Sequence, residues 1–147
     1  MTIYADTSFV LAAHLEHDIN HRPALAALKK FDGHDWLWCE LHDVELYSTA
    51  RTLTRRVDSP LPVPAARAAI FRIERLVSRK VFQRRELPLT ESVARAKSLS
   101  ESYGWLRKHT ALDVWHVAAA WCFGANRFAT FDERQAELAE DAGLILA

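Results

Sequence analysis

Glycine is scarce in this sequence, at four residues in 147, and cysteine scarcer still, at two. With so little glycine, no low-complexity tract and no internal repeat, collagen-like chains, flexible linkers and repeat arrays are excluded. Cys39 and Cys122 lie far apart among apolar residues, which excludes a disulfide framework and predicts two buried free thiols. No apolar run approaches the roughly 18 residues that a membrane helix needs. The opening MTIYADTS lacks the basic region of a signal peptide. No long block of one charge sign occurs, and 19 Lys and Arg balance 19 Asp and Glu. That balance gives no overall basic footprint for nucleic acid, although acids sequestered around a metal would leave the rest of the surface mildly positive. What is present is ordinary for a folded chain: half the residues are hydrophobic and 26% are charged. The expectation is one domain over residues 1–147, cytoplasmic, with a substantial core.

Short apolar runs alternate with helical patterns along the chain. TIYA at 2–5 reads as a strand that ends at Asp6, and Thr7 and Ser8 can cap the helix FVLAAHL that follows. After a turn at 18–21, Pro23 opens a second helix that Gly33 stops. DWLW at 35–38 is a second strand. From Glu40 to Arg56, Leu41, Val44, Tyr47 and Leu53 recur at roughly helical spacing. SPLPVP at 59–64 is a break too short for an interdomain linker, and a helix runs from 65 to about 80. VFQ at 81–83 is a weak third strand, Thr90 a helix cap, and a further helix runs from Leu112 to Gly124. Residues 127–131 form a fourth strand, 133–142 a helix, and Leu144–Leu146 a last strand. Strict alternation of this kind predicts an α/β fold with a central parallel sheet of about five short strands covered by helices on both faces.

In such sheets ligands bind beyond the carboxyl ends of the strands. Asp6 and Asp132 both fall there. Asp113 opens the apolar helix in ALDVWHVAAAWCFGA, and Glu45 lies in ELHDVELYSTARTL, with Glu40 and Asp43 as rivals for its place. Each alone has a plain reading: a helix cap for Asp6 and Asp132, a helix-dipole acid for Asp113, a salt bridge for Glu45. Jointly they point elsewhere. Two carboxylates ~4 Å apart repel by about 4 kcal/mol at an effective dielectric of about 20, so four in one crevice call for cations. Oxygen-only ligation suits Mg²⁺ or Mn²⁺ rather than zinc, and paired ions of this type promote phosphodiester cleavage by activated water.

The ordered segments resemble a PIN-domain ribonuclease of the VapC toxin type over nearly the whole chain. YADTSFVLAA is similar to the family's first motif, DINHRPALAAL to the segment after it, and DVELYSTARTL to the stretch with the family's glutamate, placed at Glu45. LDVWHVAAAW resembles the third motif, with Asp113 first and His116 three residues on, and ANRFATFDERQAELAEDAGL the last, with Asp132 as its acid. The resemblance implies a PIN-like fold with a twisted sheet, Mg²⁺- or Mn²⁺-dependent endoribonuclease activity and the toxin role in a type II toxin–antitoxin pair. It implies Asp6, Glu45, Asp113 and Asp132 as catalytic metal-holding residues, RNA as substrate, a cognate antitoxin that blocks the site, and a homodimer.

Supporting residues are weaker signals. Ser8 can orient Asp6 or cap a helix, and Thr130 can hydrogen-bond in the crevice. His116 reads as a packed histidine before a catalytic base. The seven histidines show no zinc spacing, and no Gly-rich phosphate loop, G-x-S-x-G or C-x-x-C occurs. Arg51, Arg55 and Arg56 are RNA-binding candidates, and a second basic stretch runs from Arg72 to Arg85; a solvated helix face is the plain reading of each. The five tryptophans read as core or dimer residues. The alternatives are a non-catalytic protein-binding module of the same fold, and a phosphoaspartyl receiver, which lacks its paired acid beside Asp6 and its late lysine.

Overall fold

The computed structural model of the protein describes residues 1–147. Its elements are β1 (Thr2–Ala5), α1 (Thr7–Ala13), α2 (His21–Lys30), β2 (Asp35–Trp38), α3 (Glu40–Thr54), α4 (Val63–Ser78), β3 (Phe82–Arg84), α5 (Leu89–Tyr103), α6 (Ala111–Cys122), β4 (Arg127–Ala129), α7 (Glu133–Asp141) and β5 (Ile145–Leu146). All five strands run parallel in the order β3-β2-β1-β4-β5. The chain moves outward from β1 to β3 and then returns to the far side of β1 as β4. The carboxyl ends of β1 and β4 therefore flank the point where the direction of crossover reverses, which is where open parallel sheets hold ligands.

Alternation along each strand builds two cores. Ile3, Ala5, Trp36 and Trp38 pack with Phe9 of α1, Leu46 of α3 and Ile70 and Ile73 of α4. On the opposite face Tyr4, Leu37 and Phe128 pack with Leu99 of α5, Val117 of α6 and Leu138 of α7. Each large apolar side chain buried this way contributes about 1.5–3 kcal/mol. With both faces covered, the strands lack the polar alternation of a half-exposed sheet, and so read in sequence as short apolar runs.

Several local expectations are corrected. Asp6, not Thr7 or Ser8, caps α1. Thr90 caps nothing: α5 starts directly after Pro88, which has no side-chain acceptor to offer. Val44 and Tyr47 are exposed, and the buried stripe of α3 is Leu41, His42, Leu46 and Ala50. A histidine at a core position hid that stripe from a reading based on apolar spacing. β4 is shorter than expected because the chain turns at Thr130 to start α7. Both cysteines are free, but only Cys39 is fully buried. Trp36 and Trp38 are core, whereas Trp105 is almost wholly exposed. No helix is long and apolar enough to cross a membrane.

Candidate active site

Asp6 sits at the end of β1, where its backbone N–H donates to Ala129 O of β4 at 3.0 Å. The residue is buried, with only 6% of its surface exposed. Oδ1 accepts from the Phe9 N–H at 2.6 Å, and Oδ2 accepts from Ser8 Oγ and Thr130 Oγ1, each at 2.9 Å. No lysine or arginine pairs with it. Burial raises its pKa above the ordinary carboxylate value, and the Phe9, Thr130 and Ser8 hydrogen bonds oppose the rise without cancelling it.

Thr130, one residue past β4, links the two strand ends. Its hydroxyl lies 2.9 Å from Asp6 Oδ2 and 2.9 Å from Gln135 Oε1, with one proton to give, and it accepts the Asp132 N–H at 3.1 Å. Asp6 and Asp132 thus stand on the same side of the sheet, at one mouth. Asp132 is the N-cap of α7, accepting from the N–H groups of Arg134 at 2.9 Å and Gln135 at 3.3 Å. Burial pushes its pKa up, but the Arg134 guanidinium, 3.1 Å from Oδ2, and the two N–H groups hold it below the usual range.

Glu45 comes from the second turn of α3 and is half-buried. Its Oε2 accepts from His116 Nε2 of α6 at 2.7 Å. Burial acts to raise its pKa, and the His116 bond outweighs it and holds the group low. The rivals are engaged elsewhere: Glu40 accepts the Leu87 N–H at 2.8 Å, and Asp43 pairs with Arg84 and Trp38 Nε1. Asp113 forms a capping box with Thr110, its Oδ2 accepting the Thr110 N–H at 2.8 Å. Its carbonyl accepts from Gln135 Nε2 at 3.2 Å, which ties the start of α6 to the start of α7.

The donor set has the chemistry of a site for a hard cation: carboxylates and hydroxyls, with Asp6 buried and uncompensated. Thr7 Oγ1, beside Asp6, is buried with no hydrogen-bond partner, yet lies near enough to Glu45 to help hold its pKa down. As the side chains stand, no three acidic, histidine or cysteine groups are gathered closely enough to hold an ion. Glu45, Asp113 and Asp132 are turned onto His116, Thr110 and Arg134 instead. The three arginines expected to bind RNA are exposed and more distant. At ~1.5 Å of rise per residue, Arg51 lies about 9 Å along α3 from Glu45, and Arg55 and Arg56 follow the end of the helix at Thr54.

Tyr4, buried behind the mouth, and Arg134 and Gln135 at the mouth were not singled out from the sequence, and Thr7 was singled out only as a helix cap. Only Gln135 carried a usable signal, because an acid followed three residues later by glutamine is capping-box spacing. Arg134 lies close to both Asp132 and Asp113, whose charges raise its pKa, the Asp132 bond first.

The sequence model of the PIN domain matches residues 3–141. The chain belongs to the PIN domain family. No curated protein sequence matches it. Among solved structures, the chain is similar to VapC20 of Mycobacterium tuberculosis, described as a Sarcin-Ricin loop cleaving toxin, with 21% identity, a TM-score of 0.68, and 99% of this chain and 98% of the other covered. It is also similar to VapBC2 of Rickettsia felis, bound to a DNA fragment from its promoter, at 12% identity, TM-score 0.66, 100% and 98% covered. FitAcB of Neisseria gonorrhoeae aligns at 17% identity and TM-score 0.64, covering 98% and 95%.

Proposed function

We propose that this PIN domain is a divalent-metal-dependent endoribonuclease of the VapC type, the toxin half of a type II toxin–antitoxin pair. Residues 1–147 act as one domain, cytoplasmic and homodimeric, with a cognate antitoxin covering the mouth. The similarity to a Sarcin-Ricin loop cleaving toxin and to VapBC and FitAB assemblies supports the RNA substrate and the partner. The observation that carries the reading is Asp6: a buried carboxylate at the crossover reversal, held only by neutral donors and joined through Thr130 to Asp132. Such a group is costly to ionise until a cation arrives.

Asp6, Glu45, Asp113 and Asp132 would hold Mg²⁺ or Mn²⁺, and a cation bound there supplies water activation and charge neutralisation for phosphodiester hydrolysis. Ser8 and Thr130 fix the orientation of the Asp6 carboxylate through their hydroxyls. Arg134, freed from Asp132, is placed to meet a phosphate at the mouth. Arg51, on α3 and nearest of the three arginines along the chain, takes a flanking phosphate, with Arg55 and Arg56 past the helix end contributing only to longer substrates.

The test compares wild type with Asp6→Asn on RNA in Mn²⁺. Asparagine keeps the α1 cap and the hydroxyl contacts, so the variant folds and still binds its antitoxin. Cleavage is expected to fall at least 100-fold, within the range lost when electrostatic stabilisation of a transition state is removed. Equal cleavage by the two proteins contradicts the proposal, and favours the protein-binding module.

A further inference from the structure

Glu45 is the one acid of the mouth whose carboxylate is anchored by a fully buried side chain from another helix. His116 is 1% exposed and Tyr4 is 0% exposed. Glu45 can only accept, so His116 Nε2 carries a proton and donates it across the 2.7 Å contact. In the neutral ring Nδ1 is then an acceptor, and Tyr4 Oη lies 2.8 Å from it. Tyr4 Oη also lies 3.4 Å from Cys39 Sγ, a buried thiol able to donate. The far end is fixed by backbone: His42 takes the Cys39 N–H on Nδ1 at 3.0 Å and gives its Nε2 proton to Ala5 O at 2.8 Å. Tyr4 itself is locked in β1, in register with Leu37 and Phe128, and its ring stacks on Phe128 at 5.8 Å.

We infer that Tyr4 and His116 form a buried strut that sets the position of Glu45, so that Oε2 is held and Oε1 is left for a cation. This rests on Glu45 being a metal-holding residue, as proposed above. A glutamate on a helix surface loses considerable rotamer freedom when it binds an ion. The strut removes that freedom beforehand, through hydrogen bonds rooted in the central strand. Tyr4 and His116 are positioning residues and touch no substrate. Packing alone does not account for the arrangement, since a hydrophobic side chain would fill the same volume without satisfying Glu45.

Calorimetric titration of Mn²⁺ into the purified chain tests the strut without reference to RNA. The variants are Tyr4→Phe, His116→Gln, Glu45→Gln, and each of the first two combined with the third. Tyr4→Phe removes one oxygen and keeps the ring stack, so it tests the idea even where His116→Gln does not fold. Tyr4→Phe is expected to weaken Mn²⁺ binding about tenfold and His116→Gln by up to about 100-fold, the range for groups that orient a ligand. In the Glu45→Gln background neither adds a further loss. Unchanged affinity in Tyr4→Phe, or losses that add fully to that of Glu45→Gln, overturns the strut while leaving the nuclease reading intact. A wild-type protein that binds no Mn²⁺ overturns both.

Discussion

At the scale of single residues, the mouth is defined by what Asp6 lacks. Its three donors are neutral, and its pKa is raised by burial. In the metal-free protein Asp6→Asn is therefore expected to give an equal or higher urea midpoint at pH 7, whereas a carboxylate stabilising the fold by itself would give a lower one. His42 supplies a pH dependence. Burial, then the neighbouring His116, lowers its pKa from 6.5 to about 3. The unfolded chain thus binds a proton that the folded chain refuses between those values. The stability His42 contributes is complete above pH 6.5 and is lost as pH falls toward 3. In that window one such group changes stability by about 1.4 kcal/mol per pH unit. Between pH 6.5 and 5, urea midpoints of wild type should fall more steeply than those of His42→Gln; parallel slopes contradict this. Asp6 and Asp132 were legible in the sequence because each follows a short apolar run. Tyr4 and His42 were not, because Tyr4 Oη meets Cys39 and His116, 35 and 112 residues away, and His42 Nε2 meets Ala5 O, 37 residues away, which no local pattern encodes.

At the scale of elements, capping decides where the acids stand. Asp6 and Asp132 are N-caps, and Asp113 is the N3 residue of a capping box, so three of the four acids are positioned by helix starts. Removing a cap costs about 1 kcal/mol. Thr110→Ala should therefore lower stability by about that amount in urea titration, and should weaken Mn²⁺ binding as well by loosening Asp113. A loss of stability with unchanged Mn²⁺ affinity would remove Asp113 from the proposed donors. Strands β1 and β2 were readable as short apolar runs, β1 ending at Asp6 and β2 running from Asp35 up to Cys39. The edge strand β3 was weaker, with one buried side chain in three. In α3 the stripe Leu41, His42, Leu46 and Ala50 was obscured because a histidine occupies a core position and Val44 and Tyr47 imitate the spacing at the surface.

At the scale of the whole molecule, the order β3-β2-β1-β4-β5 brings residues 6 and 130 together, although 124 positions separate them. Ligand binding there should stabilise the entire fold by linkage: Mn²⁺ at about 100 times its Kd contributes about 2.7 kcal/mol. For a chain of this size that raises the melting temperature by roughly 5–10 °C. The rise should be absent in Asp6→Asn. The sequence pattern gave the alternation and thus the parallel sheet; strand order came only with the structure, since nothing local says on which side of β1 the fourth strand returns. End-group analysis of RNA cut by the purified protein, with Mn²⁺ and with EDTA, tests the nuclease claim most directly. Fragments with 5′-phosphate and 3′-hydroxyl ends, formed with Mn²⁺ and not with EDTA, are the predicted result; cutting that persists in EDTA, or leaves 2′,3′-cyclic phosphates, contradicts it.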